Sequence, residues 1–218
     1  MSDPRARARD LRDRSLERRD PTGWFEALYS EAGADATQVP WADLGPNPHL
    51  VAWCQREGIR GAGRAVKVGC GWGDDAEFLA AQGFDVVAFD VAPSAVARCR
   101  ARFPGSPVDY RVADLLALPE ALRRSFDVVV EAYTLQVLPP ELHPRAIEAT
   151  AELVAPGGTL VVICRGREPE DPCPGLHWPL TRAELEGFIA AGLREVQLED
   201  FLDAEEPPVR RFRATYRR

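Results

Sequence analysis

The chain has 218 residues, 45% of them hydrophobic and 28% charged, with a formal net charge of -7. That length supports one full hydrophobic core, the acidic balance argues against a general nucleic-acid binder, and no apolar run approaches membrane-spanning length. Met1 is not followed by a signal-peptide pattern, so the expected setting is cytoplasmic, with neither nucleic acid nor membrane as partner.

Residues 1–19 are rich in arginine with interspersed acids and are expected to form a solvated, partly helical arm. The alternative is a lid that orders over a bound ligand. Asp20-Pro21 opens a helix of about twelve residues whose apolar face carries Trp24, Phe25, Leu28 and Tyr29. A Pro-marked loop, Gln38-Val39-Pro40-Trp41, follows. Asn47 then caps a helix that Pro48 opens and Gly58 stops. Residues 20–60 are thus expected to form a helical lid on an α/β core at 64–218, within a single domain.

In the core, strands are expected at 65–68, 84–90, 108–112, 126–130 and 159–164. Helices are expected at 74–82, 93–102 and 144–153, with a short one near Glu120. Such alternation predicts a parallel sheet covered by helices on both faces. Thr181-x-x-Glu184 reads as a capping box for a helix to about Ala191. Strands at 194–198 and 209–216 follow, joined by about ten residues, too few for a crossover, so they should pair antiparallel. The expected fold is α/β: a doubly wound, Rossmann-like sheet of seven strands, mostly parallel, with an antiparallel last strand.

Within this frame Val66 and Val68 lead into Gly69-Cys70-Gly71-Trp72-Gly73 and a helix start, with Asp74 as the expected N-cap and Glu77 completing a capping box. Strand, Gly-rich turn and helix bring bare backbone against a nucleotide-like ligand. Asp90 ends the next strand, where a carboxylate suits a pair of ribose hydroxyls. Asp74 stands where a dinucleotide fingerprint has its last glycine, and the Asp74-Asp75 pair would repel a pyrophosphate. A ligand with a ribose and no phosphates fits better.

These residues resemble the first motif of class I S-adenosylmethionine (SAM)-dependent methyltransferases, whose sheet also ends in a hairpin. The resemblance implies that Gly69, Cys70, Gly71 and Gly73 lie against the methionine part of SAM. It implies that Asp90, beside Val91, binds the ribose, and that Asp114, beside Leu115, accepts from the adenine amino group. Glu131-Ala132-Tyr133 would wall the pocket near the methyl group. The flanks resemble the thiopurine and halide/thiol methyltransferase group: Trp24-Phe25-Glu26 with Tyr29, Pro40-Trp41, Asn47-Pro48-His49-Leu50, and the Gly/Pro-rich stretch 171–180. By that likeness Trp24 and Trp41 would cover the cofactor and substrate pocket, and the acceptor would be small and soft, such as a thiol. Lys67, the only lysine, departs from the pattern. It stands inside the first strand, where this class carries an acid or an apolar residue. It is expected either to reach a carboxylate (that of SAM, of Asp90 or of Asp114) or to pack its stem and send the ammonium to the strand end.

Methyl transfer from a sulfonium is an in-line displacement, dominated by positioning in a dry site. None of the three histidines (His49, His143, His177) has the setting of an obvious base, which favours a nucleophile that arrives as an anion. Tyr133 and Arg165 are the expected substrate-positioning residues, Arg165 as a partner for an anionic acceptor. The five cysteines (Cys54, Cys70, Cys99, Cys164, Cys173) are scattered and read as reduced thiols. Cys164, Cys173 and His177 lack a C-x-x-C pair, so no metal is expected. The chain is therefore expected to be a SAM-dependent methyltransferase of a small-molecule acceptor, a monomer or homodimer. The alternatives are an N- or O-methyltransferase, a non-catalytic SAM-binding protein, and a nicotinamide-dependent oxidoreductase.

Overall fold

A computed structural model describes residues 3–173 and 175–218. Position 174, within the expected Gly/Pro-rich loop, lies outside the described residues, as do positions 1 and 2. Three helices come first: α1 (Pro4–Glu17), α2 (Gly23–Ala32) and α3 (Pro48–Arg56). The alternating part follows as β1 (Arg64–Val68), α4 (Asp74–Ala81), β2 (Asp85–Asp90), α5 (Pro93–Arg102), β3 (Asp109–Val112), β4 (Phe126–Ala132), α6 (His143–Glu152) and β5 (Val154–Arg165). The chain closes with α7 (Arg182–Leu185), α8 (Gly187–Ala190), β6 (Arg194–Leu202) and β7 (Arg210–Arg217).

The sheet has seven strands in the order β3-β2-β1-β4-β5-β7-β6. Strands β1 to β5 pair in parallel. β7 is antiparallel to both β5 and β6. Strand side chains alternate between faces, and both faces are covered. Val66, Val68, Val129 and Val162 pack in one cluster with Trp24, Leu28 and Ile147. Ala65, Val128, Val130 and Ile163 pack in the other with Leu50, Leu79 and Val96. The strand order reverses between β1 and β4, and the crevice at the carboxyl ends of such strands is where open α/β sheets hold ligands.

The arginine-rich start, expected as a solvated, partly helical arm, is a helix over Pro4–Glu17 docked on α2. Ala8 and Ser15 are buried, and the Arg7 guanidinium donates to both oxygens of Glu31 at 2.9 and 2.7 Å. Helix α2 is tied in turn to α5, because Glu26 accepts from Ser94 through its backbone N–H and its hydroxyl. The N-cap of α4 is Gly73, at φ 95°, and the expected Asp74–Glu77 box does not form. Each acid has a stronger tertiary partner: Asp74 takes a forked contact from Arg102, and Glu77 accepts from Ser106 and Tyr110. Strand β4 runs two residues past its expected end, since Glu131 and Ala132 continue the pairing with Val162 and Ile163.

The Thr181–Glu184 capping box does form, with Thr181 N–H and hydroxyl reaching Glu184 Oε2 and Glu184 N–H returning to Thr181 Oγ1. It starts a single turn, and α8 follows as a second one. Glu184 also meets Nδ1 of the buried His143 at 2.7 Å, so this carboxylate joins α6 to α7. Burial pushes the Glu184 carboxyl up, but the bonds from His143 and Thr181 outweigh it and hold it at about 2. Because the group is more acidic folded than unfolded, its stabilisation is complete above about pH 4.5 and is lost as pH falls towards 2. We expect acid unfolding to remove on the order of 2–3 kcal/mol through this carboxyl. In Glu184→Gln the pH dependence of urea unfolding between 5 and 2 should be flatter by about that amount.

Candidate active site

A cavity of about 790 Å3 opens at the carboxyl ends of β1, β2, β4 and β5, under a roof from α1, the 39–49 segment and the β6–β7 loop. It lies in the upper part of the roughly 300–1,000 Å3 range of small-molecule sites, with room for more than one small ligand.

The floor is the glycine turn after β1. Gly69, Gly71 and Gly73 all have positive φ, at 58°, 52° and 95°. A Cβ on Gly69 would stand 2.3 Å from Thr134 Oγ1, so the turn can lie flat against β4 only as glycine. Cys70 N–H donates to Phe89 O at 2.9 Å, and Gly71 N–H donates to Asp90 Oδ2 at 3.0 Å. The turn is thereby clamped to the end of β2. Asp90 Oδ1 accepts from Ala92 N–H at 3.0 Å. This carboxylate is 7% exposed, and its burial pushes the pKa above the usual carboxylate range against the pull of those two amides and of Lys67. Each oxygen keeps a lone pair for a further donor. Asp114 also lines the cavity, with Oδ1 accepting from Leu116 N–H at 2.8 Å.

Lys67 lies on the same floor, 3% exposed. Its ammonium donates to Val68 O at 2.8 Å, Gly69 O at 3.1 Å and Ala132 O at 3.4 Å. Its nearest carboxylate is Asp75, at 3.8 Å, and not the expected Asp90 or Asp114. The reason is register: Asp75, one residue into the first turn of α4, faces back over the end of β1.

The other expected site residues divide. Trp41, Cys70, Val91, Leu115, Tyr133 and Arg165 line the cavity. Trp24, Gly73 and Glu131 do not. Trp24 is 1% exposed and packs with its ring 4.0 Å from Phe25 and 5.9 Å from Trp41, so it backs the cavity wall instead of forming it. Gly73 turns towards Tyr110, whose hydroxyl would sit 2.6 Å from any Cβ there. Glu131 is fully buried under the wall, where Oε1 accepts from Thr134 and Leu135 N–H groups at 2.8 and 3.0 Å. Glu131 holds the turn that presents Tyr133.

Tyr133 adopts φ 66°, a conformation costly for a bulky residue and concentrated at functional sites. The Arg211 guanidinium lies 4.9 Å from the centre of its ring. Arg165 donates its backbone N–H to Gln136 Oε1 at 2.6 Å, and its guanidinium is 3.7 Å from Glu205. Burial, with Arg211 and Arg5 nearby, lowers its pKa from the ordinary arginine value. His49 and His177 line the cavity and His143 does not. Burial and a ring of arginines hold His177 at about 4, so it is neutral at pH 7.

Arg211, Asp203 and Glu205 were not expected here. Arg211 is 2% exposed and donates to Asp203 at 2.6 Å and to Glu205. The β6–β7 connection folds back over the cavity, and only pairing of distant strands brings it there. Arg5 reaches the cavity from α1 in the same way. Among the described residues no group of three His, Cys, Asp or Glu side chains is placed to hold a metal ion.

The donor set suits a nucleoside with an amino-acid tail: two acids at the ends of β2 and β3, apolar shelves at Val91 and Leu115, and a bare glycine floor. The fold and this cavity together define a class I methyltransferase fold. Residues 65–158 match the family model described as a methyltransferase domain. Over 127 residues the chain is 38% identical to the ubiquinone biosynthesis O-methyltransferase of Azotobacter vinelandii, covering 57% of this chain and 53% of that protein. Over 160 residues it is 28% identical to the probable thiol methyltransferase 2 of Arabidopsis thaliana, covering 72% and 67%. The chain spans about half the length of the first of these relatives. Burkholderia thailandensis 1,6-didemethyltoxoflavin-N1-methyltransferase, solved with 1,6-didemethyltoxoflavin and S-adenosylhomocysteine bound, shares the fold. The TM-score is 0.69 at 18% identity, over 91% of this chain and 90% of that one. No described helix is long and apolar enough to cross a membrane.

Proposed function

We propose that this chain transfers a methyl group from SAM to a small-molecule acceptor that enters as a soft anion, a thiolate foremost. The observation that carries the proposal is Asp90: a buried carboxylate, locked to the glycine turn through Gly71, at the end of β2, beside the strand β1 from which the sheet order reverses. Asp90 would hold the ribose hydroxyls, Asp114 the adenine amino group, and Val91 and Leu115 the faces of the base. When bound, SAM supplies an electrophilic methyl group on a sulfonium. Tyr133 and Trp41 supply an aromatic enclosure that favours a cation and excludes water. Arg165 and Arg5 supply positive charge on the acceptor side.

The anionic acceptor follows from what the cavity lacks as a base. His177 is held at about 4, and His49 is pushed below the usual histidine range by burial. Asp203 and Glu205 are taken up by Arg211. A neutral amine or alcohol would find in His177 and His49 bases weakened from the ordinary histidine. Methylation of oxygen is the second reading, supported by the similarity to the Azotobacter O-methyltransferase. A phenol can ionise beside Arg165 without a strong base.

Calorimetric titration of the full chain with SAM and S-adenosylhomocysteine tests the first half. Micromolar binding is expected. Product analysis with thiols, phenols and amines tests the second, and only thiols or phenols should be turned over. Binding without any turnover would replace the enzyme with a SAM-binding protein.

A further inference from the structure

Three backbone carbonyls, of Val68, Gly69 and Ala132, converge at the cavity floor from the ends of β1 and β4. Converging carbonyl dipoles form a site for a cation. Here the cation comes from the protein itself, as Lys67 Nζ sits 2.8 to 3.4 Å from all three oxygens. Its compensation by full charge is partial. Asp75 Oδ2 is 3.8 Å away, beyond hydrogen-bond contact, and Asp75 Oδ1 is engaged by the Asn47 N–H at 2.7 Å. A buried ammonium whose carboxylate neighbours, Asp75 and at longer range the buried Asp90 and Glu131, give it no hydrogen bond favours a carboxylate that does, and Lys67 lines the cavity from which such a group could come.

We propose that Lys67 makes this floor selective for the carboxylate of the cofactor's amino-acid tail and against its ammonium. The inference rests on the assignment of SAM to this cavity. A ligand ammonium meets carbonyls that are already occupied and a like charge in a low-dielectric wall. A ligand carboxylate meets the Lys67 ammonium. The cofactor is therefore anchored mainly by its carboxylate, while the amino group contributes little to affinity.

Calorimetry on the full chain decides this with three ligands. One is S-adenosylhomocysteine. The second is its desamino analogue, 5'-S-(3-carboxypropyl)-5'-thioadenosine. The third is its decarboxylated analogue, 5'-S-(3-aminopropyl)-5'-thioadenosine. The desamino compound should bind within about 3-fold of S-adenosylhomocysteine, and the decarboxylated compound about 10- to 100-fold more weakly, the span of one charge-assisted contact. Lys67→Met frees the three carbonyls, so in that variant the gap should close or reverse as the amine gains the vacated site. If the variant does not fold, the order of the two analogues on the unaltered chain still decides.

Tight binding of S-adenosylhomocysteine with the amine as the essential group would overturn the role of Lys67 and leave the cofactor assignment standing. Failure of all three to bind would remove the assignment and this inference together.

Discussion

Asparagine in place of Asp90 should weaken S-adenosylhomocysteine binding by about 10- to 100-fold, the loss expected when a charged acceptor of ligand hydroxyls becomes neutral. The substitution keeps the shape of the side chain and removes both the charge and one acceptor. Asp90 serves two backbone donors, Gly71 N–H through Oδ2 and Ala92 N–H through Oδ1. An amide can accept from only one of them through its oxygen, and its NH2 group would face the other N–H. A stability cost of about 1–2 kcal/mol should therefore accompany the loss of affinity. Calorimetry reads the first effect and urea unfolding the second. Affinity retained within about 2-fold would show that the end of β2 does not hold the ribose.

Methionine in place of Arg211 should be among the most destabilising changes in the molecule that leave its core packing intact. Arg211 side-chain exposure is 3% and that of Asp203 is 5%, so removing the cation leaves a buried carboxylate held only by the Glu205 and Val209 N–H groups. Breaking one partner out of such a pair costs about 3–5 kcal/mol. Residues 204–208 of the loop are exposed and Asp203 keeps its two backbone donors, which places the expected value near the lower end, about 3 kcal/mol. Arg211→Met with Asp203→Asn should recover much of it, because the stranded charge is then gone. The change also frees Glu205 and removes the guanidinium beside Tyr133. Glu205 is then available to Arg165, and an anionic acceptor should bind more weakly even in the rescued double variant. Urea unfolding of the three proteins and the KM of the acceptor check the two parts separately.

Local chemistry was legible along the chain wherever a few neighbouring residues settle the outcome. Asn47-Pro48 caps α3 as written, with Asn47 Oδ1 accepting from His49 and Leu50 N–H groups. Thr181 and Glu184 form their box. Gly69 and Gly71 occupy backbone conformations that other residues adopt only under strain. The acid at the end of β2 could be placed because the strand before it is a continuous apolar run with a clear end. The connection between the last two strands, too short for a crossover, required their antiparallel pairing.

Choices among competing partners were not legible. Asp74 and Glu77 have the spacing of a capping box, yet Arg102, Ser106 and Tyr110 take them. A forked arginine contact is stronger than a cap, and Arg102 lies 28 positions away. Trp24 and Trp41 look alike as aromatic residues of the segment 20–60, and only the packing of α2 buries the first and leaves the second on the cavity.

Composition, periodicity and turn residues therefore determined the seven-stranded α/β frame and the position of its crevice, because those depend on backbone geometry and short-range hydrogen bonds. Three-dimensional packing decided the charge of the crevice. Lys67 found Asp75 in place of Asp90, and Arg211 came with Asp203 and Glu205 to the cavity rim. Electrostatic energy in a dry cavity depends on distances of a few ångströms between groups far apart in the chain, and those distances exist only once the strands have paired.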